Sequence, residues 1–89
     1  MQPSDAIHEQ IVIEAIRIAK KDPLLIASRD SRIIEDIGLD SLMLMEVIEH
    51  IQYKSHAIFS PQDYALENFA TVSSIIELLK SKTPQQDGD

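Results

Sequence analysis

The residues able to do chemistry in this 89-residue chain gather around one pair, Asp40-Ser41, in the stretch IGLDSLMLMEVIEH. Cysteine is absent, so disulfides, thiolate metal sites and thiol chemistry on the chain's own side chains are excluded. A serine can attack a substrate, carry a modification or cap a helix. A hydrolase nucleophile sits in G-x-S-x-G between a strand and a helix, whereas Gly38 stands three residues before Ser41, and Leu42 and Met43 follow it. His8, His50 and His56 are the available bases, and none falls in a recognisable motif, which argues against a Ser-His hydrolase. Their spacing also misses the i, i+4 pairing of a helical metal site, so each histidine reads as a surface residue. A calcium loop counted from Asp36 would use Asp40 as its fifth position, but Gly38 takes the third, Ser41 replaces the turn glycine and Val47 replaces the closing glutamate. No metal is expected.

Capping is what Asp and Ser usually do before an apolar periodic run. Capping alone leaves the neighbourhood unexplained. Between Ile33 and Tyr53 stand Glu35, Asp36, Asp40, Glu46 and Glu49 with no Lys or Arg among them. A solvated face usually mixes signs; this one is uniform.

The elements that must position the pair follow from periodicity. Ser4 is a good N-cap, with Asp5 in the first turn where the helix dipole favours an anion. At 100° per residue Ile7, Ile11, Val12, Ala15, Ile16, Ile18 and Ala19 share one side, and Glu9, Gln10, Glu14, Arg17 and Lys20 the other. Asp22-Pro23 stops this first helix. Residues 22–40 are long for a helix connection, yet Leu24, Leu25, Ile33, Ile34, Ile37 and Leu39 can pin them to a core, so they read as an ordered loop with a short helical turn near 32–36. A second helix runs from Asp40 or Ser41 to about Tyr53. Leu44, Val47, Ile48 and Ile51 form its core stripe, Leu42, Met45, Glu46, Glu49 and Tyr53 its other side, and Met43 lies on the border.

Ser60, Pro61 and Asp63 start a short third helix, as cap, first helical residue and capping-box partner. Thr71 caps a last helix with Val72, Ile75, Ile76 and Leu79 inward. The expected architecture is all-α: a small four-helix bundle of three longer helices and one short one, with a long ordered loop between the first two. One domain spans residues 1–82, and 83–89 form a flexible polar tail. Its core draws on Ile11, Ile18, Leu44, Val47, Ile48, Ile51, Val72, Ile76 and Leu79.

Eight Lys+Arg against fifteen Asp+Glu give a net charge of −7. No basic stripe exists to neutralise phosphates, which argues against nucleic acid and points to basic partner surfaces. No apolar run is long enough to span a bilayer and no secretory leader is apparent, so the expectation is a cytoplasmic monomer without a membrane partner.

EDIGLDSLMLMEVIEHI resembles the signature of the acyl carrier protein family: a glycine, an apolar residue, then Asp-Ser-Leu opening the second of four helices. The likeness extends through the apolar loop DPLLIASRDSRIIEDIGLDS to the closing LENFATVSSIIELL. It implies that Ser41 carries a 4′-phosphopantetheine arm, placed by a magnesium-dependent phosphopantetheinyl transferase acting on coenzyme A, and that the chain is a carrier and not an enzyme. The arm would bring the thiol that the chain lacks. A phosphodiester at a helix N-terminus would meet free N–H groups and the positive dipole end. The same resemblance gives Asp40 a part in docking the transferase, makes Leu42 and Met45 apolar contact points, and has Glu46 and Glu49 steer acyl-loading and acyl-processing enzymes with basic docking surfaces.

YKSHAIFSPQD departs from the fatty-acid carriers, which commonly have a glycine and a hydrophobic pair after the second helix; this chain has no glycine there, and His56 and Pro61 stand in place of the expected residues. Leu39, where peptidyl carriers usually have a second glycine, leans the reading toward an acyl or polyketide-type cargo on a discrete subunit. An aminoacyl or peptidyl carrier, and an unmodified helical interaction module using the acidic helix, are the alternatives.

Overall fold

The computed structural model describes residues 3–82, with side chains from Ala6 onward. Three long helices, α1 (Pro3–Lys20), α2 (Ser41–Ser55) and α3 (Val72–Lys82), enclose one apolar core. The short helical segment before α3 consists of two 3-10 turns, Pro61–Tyr64 and Leu66–Phe69, separated by Ala65 in an extended conformation (φ −60°, ψ 142°). Three longer helices and one short one is therefore the architecture. Among the described residues there is no strand, only an isolated antiparallel bridge between Arg32 and Thr71. The tail expected over residues 83–89 lies outside the described residues.

Helix α1 begins at Pro3, one residue before the expected cap; the side chains of Ser4 and Asp5 lie outside the described ones. Its buried stripe is Val12, Ala15, Ile16 and Ala19, joined by His8, only 7% exposed. His8 is thus a core-facing residue and not the surface histidine its polarity suggested. The arc through 12, 15, 16 and 19 is centred close to position 8, which leaves Ile7 and Ile18 about 100° away on a flank. Both are exposed, contrary to their expected inward placement. Ile11 is half-buried against the core.

Residues 21–40 form the ordered loop. Leu25 and Ala27 pack on the core while Leu24 (84% exposed) and Ile26 (91%) point away, the alternation of an extended segment. Backbone bonds tie the loop to the mouth of α3: Ile33 N–H to Ala70 O (2.9 Å), Val72 N–H to Ser31 O (3.0 Å) and Ser73 N–H to Arg29 O (2.9 Å). The expected helical turn is a π turn over Ile33–Ile37. Ile33 and Leu39 are buried and Ile37 packs beside them. Leu24 and Ile34 are corrections to the expected anchors, because only alternate positions of an extended stretch, and one side of a single helical turn, can face the core.

Val47, Ile48 and Ile51 of α2 are buried, Leu44 and the border residue Met43 half-buried against them. His50 is half-buried too, with Nε2 hidden and lacking a hydrogen-bond partner, so its surface reading is also corrected; His56 is exposed as expected. His56 ends α2 in the left-handed region (φ 63°, ψ 13°) and donates its N–H to Gln52 O at 2.8 Å, the place a glycine fills without strain.

Asp63 accepts from the Ser60 N–H (2.7 Å) and hydroxyl (3.0 Å) and meets Lys82 Nζ at 2.9 Å, linking the first 3-10 turn to the end of α3. These donors, the Ser60 N–H first and then Lys82, hold its carboxyl below the usual Asp range. Thr71 and Ser74 cap α3 reciprocally: Ser74 N–H donates to Thr71 Oγ1 (3.1 Å) and Thr71 N–H to Ser74 Oγ (3.0 Å). Val72, Ile75, Ile76 and Leu79 are fully buried.

Candidate functional site

The site is the junction of loop and α2. Its pedestal is the π turn, whose first-turn carboxylate folds back on its own entry: Asp36 accepts from the Arg32 N–H at 2.8 Å and from the guanidinium at 3.2 and 3.3 Å. The guanidinium beside it holds the Asp36 carboxyl below its ordinary value, and Asp36 in turn raises Arg32. Gly38 closes the turn at φ 87°, ψ 31°, a conformation that suits glycine; its N–H and that of Leu39 both reach Ile33 O at 3.1 Å. Leu39 drops into the core and fixes the direction in which the chain enters the helix.

Asp40 is the N-cap. Its extended backbone (φ −100°, ψ −177°) turns Oδ1 onto the Met43 N–H at 2.8 Å, and its carbonyl accepts from the Leu44 N–H at 2.9 Å. The first two N–H groups of α2, on Ser41 and Leu42, have no intrahelical partner and none among the described residues. Ser41 is the first helical residue and exposed.

The core arc of α2 runs through 44, 47, 48 and 51; the opposite arc holds Leu42 (72% exposed), Met45, Glu46, Glu49 and Tyr53, all exposed. Asp40, Ser41, Leu42, Met45, Glu46 and Glu49 are thus all exposed, the last four on the arc opposite the core and the first two at the N-terminal end of α2. No hydrogen bond from a histidine to Ser41 is present among the described residues. His50, nine residues on, lies about 13 Å further along the helix axis. No group of three or more His, Asp or Glu among the described residues could hold a metal ion.

Lys20 was not visible from sequence as part of this region. It is the last residue of α1, yet its Nζ lies 3.4 Å from where a Cβ on Gly38 would stand. Eighteen positions separate the two, and no local pattern links them.

A family model described as the phosphopantetheine attachment site matches residues 9–79. The chain belongs to that family of carrier proteins. Carrier domains of this kind hold cargo for other proteins and are not themselves catalysts. The carrier's fold also matches the solution structure of MacpD, an acyl carrier protein from Pseudomonas fluorescens involved in mupirocin biosynthesis, with a TM-score of 0.66 and 22% identity over 100% of this chain and 88% of that one. At that identity the likeness is one of fold. No curated protein sequence matches the carrier.

The residues present fit the group that the family name implies. Ser41 offers an open hydroxyl, and the N–H groups of Ser41 and Leu42 have no partner among the described residues. No helix among the described residues is long and apolar enough to cross a membrane.

Proposed function

We propose that the chain is an acyl carrier whose Ser41 bears 4′-phosphopantetheine and which shuttles acyl or polyketide-type intermediates between partner enzymes. The observation that carries this reading is the exposed Ser41 hydroxyl at the mouth of a 15-residue helix, capped not by itself but by Asp40. When bound, the arm supplies a terminal thiol on which cargo is held as a thioester. Ser41 would give up its hydroxyl proton to a base of the transferase, because the neighbouring Asp40 carboxylate is occupied in capping the Met43 N–H. Its oxygen would then attack the pantetheine-bearing phosphorus of coenzyme A, breaking the pyrophosphate bond so that adenosine 3′,5′-bisphosphate leaves and the linking phosphodiester remains on Ser41. The Ser41 and Leu42 N–H groups and the helix dipole would favour that anion.

Asp40 would help dock the phosphopantetheinyl transferase. Leu42 and Met45 would enter shallow apolar pockets on successive acyl-loading and acyl-processing enzymes, and Glu46 and Glu49 would steer their basic surfaces. Electrostatic pairing of this sort speeds encounter more than it deepens affinity, which suits a protein that must leave each partner.

Intact-protein mass is the test: incubation with coenzyme A, Mg²⁺ and a broad-specificity phosphopantetheinyl transferase adds one phosphopantetheinyl unit to the wild type and none to Ser41→Ala. Absence of the gain, with a transferase active on another carrier, would move the reading to an unmodified interaction module.

A further inference from the structure

The acidic stretch around the site carries no Lys or Arg of its own between Ile33 and Tyr53. A phosphodiester on Ser41 adds a further negative charge within a residue of Asp40, whose carboxylate is fixed on the Met43 N–H and cannot swing away without uncapping α2. The fold delivers a cation to this place from elsewhere in the chain. Lys20 ends α1 with a half-buried stem, and its ammonium rests against Gly38. From Gly38 to Ser41 is at most about 10 Å of chain, comparable with the screening length of about 8 Å in physiological salt, and a swing of the flexible lysine stem shortens the gap.

The three arginines of α1 and the loop are committed, and the remaining neighbour, Lys21, is exposed. Arg17 Nε donates to Leu25 O at 2.8 Å, Arg29 pairs with Glu9 at 3.2 Å and Arg32 with Asp36 at 3.2 Å. Lys20 pairs with no carboxylate among the described residues. A lysine on a flexible four-carbon stem can follow a phosphate that moves with its arm, as a planar guanidinium locked in a fork cannot.

We propose that Lys20 is the counter-cation of the phosphodiester on Ser41, a positioning residue that holds the root of the arm over the Gly38 turn. This rests on Ser41 being the attachment point. The competing role for Lys20 is only to complement the C-terminal dipole of α1, which would act equally with and without the modification.

The test compares the unmodified protein with the phosphopantetheinylated one, made with coenzyme A, Mg²⁺ and a transferase and verified by intact mass. In the wild type, the side-chain ammonium and Cε resonances of Lys20 should shift on modification several-fold more than those of Lys21 and Lys54. The difference should shrink toward zero near 1 M salt, where screening acts within about 3 Å. In the modified protein, Lys20→Met should move the phosphorus resonance and Lys20→Arg should restore part of the wild-type position. A mass gain with an unmoved Lys20 resonance overturns the Lys20 assignment and leaves the Ser41 reading standing; no mass gain overturns both. The wild-type comparison needs no variant, so a poorly folding Lys20→Met does not rescue the idea.

Discussion

Asp40 has two separable tasks, capping α2 and presenting a charge, and a pair of substitutions divides them. Asp40→Ala removes the 2.8 Å bond to the Met43 N–H and should cost about 1 kcal/mol, within a range of roughly 0.5–2 for lost caps. For a domain of this size each kcal/mol lowers Tm by about 4–8 °C. Asp40→Asn keeps an oxygen in the same position and forfeits only the charge at the positive helix end, worth a few tenths of a kcal/mol at an exposed site. If the charge also docks the transferase, both variants should slow phosphopantetheine transfer alike. A factor of roughly 1.4 to 5 corresponds to an exposed ion pair of 0.2–1 kcal/mol, and the loss should fade at high salt. Thermal denaturation followed by circular dichroism reads the first effect and transfer kinetics by mass the second. Should Asn destabilise as much as Ala, the cap is not what holds this end of the helix; should Asn transfer at the wild-type rate, the docking role of the charge is refuted.

Ile48 is 3% exposed in the centre of the core stripe, so Ile48→Ala should lower the unfolding free energy by roughly 2–5 kcal/mol in denaturant titrations, while Leu42→Ala on the open face stays within about 0.5. An unchanged midpoint for Ile48→Ala would place that side chain outside the core. His56 and Gly38 occupy the same left-handed region, so exchanges there should act in opposite directions: His56→Gly gains roughly 0.5–1 kcal/mol, and Gly38→Ala loses about 1–2. Equal signs in equilibrium unfolding would refute the backbone argument. Asp63 loses its proton at lower pH folded than unfolded, where the ordinary value is about 3.9. Its contribution is complete above that value and disappears as pH falls through the lower folded one. Asp63→Asn should flatten this part of the acid limb of stability; an identical acid limb would exclude the carboxylate as its source.

Helices were legible wherever the apolar period was long. Val72, Ile75, Ile76 and Leu79 announced the buried face of α3, and Thr71 its cap, because both depend only on neighbours within a turn or two. The errors came at the flanks of stripes and in the loop. Ile7 displaced His8 from the expected face because residue type outweighed angle, although the wheel through Val12, Ala15, Ile16 and Ala19 points at position 8. Leu24 and Ile34 are as apolar as Leu25 and Ile33, and long-range ties decide which of each pair turns inward: Arg17 Nε on the Leu25 carbonyl for the first, the bond from Ile33 N–H to Ala70 O for the second. At the site, Asp40, Ser41 and Gly38 could be read because a cap and a turn are local. The approach of Lys20 to Gly38 could not, being produced by the packing of α1 against the loop.

The order Asp-Ser, and not Ser-Asp, follows from the same local physics. A serine at the cap position would spend its hydroxyl accepting an N–H of the first turn, turned back over the helix and out of reach. With aspartate there, the carboxylate takes the Met43 N–H, the serine moves one place into the helix, and its hydroxyl faces solvent. The cap also reaches past the first two N–H groups to the third, leaving those of Ser41 and Leu42 for an anion held on Ser41. Stability and presentation are therefore served by adjacent residues with little competition. The cost is a fixed carboxylate beside any phosphodiester placed there, and the ammonium of Lys20 on the glycine turn is positioned to offset it.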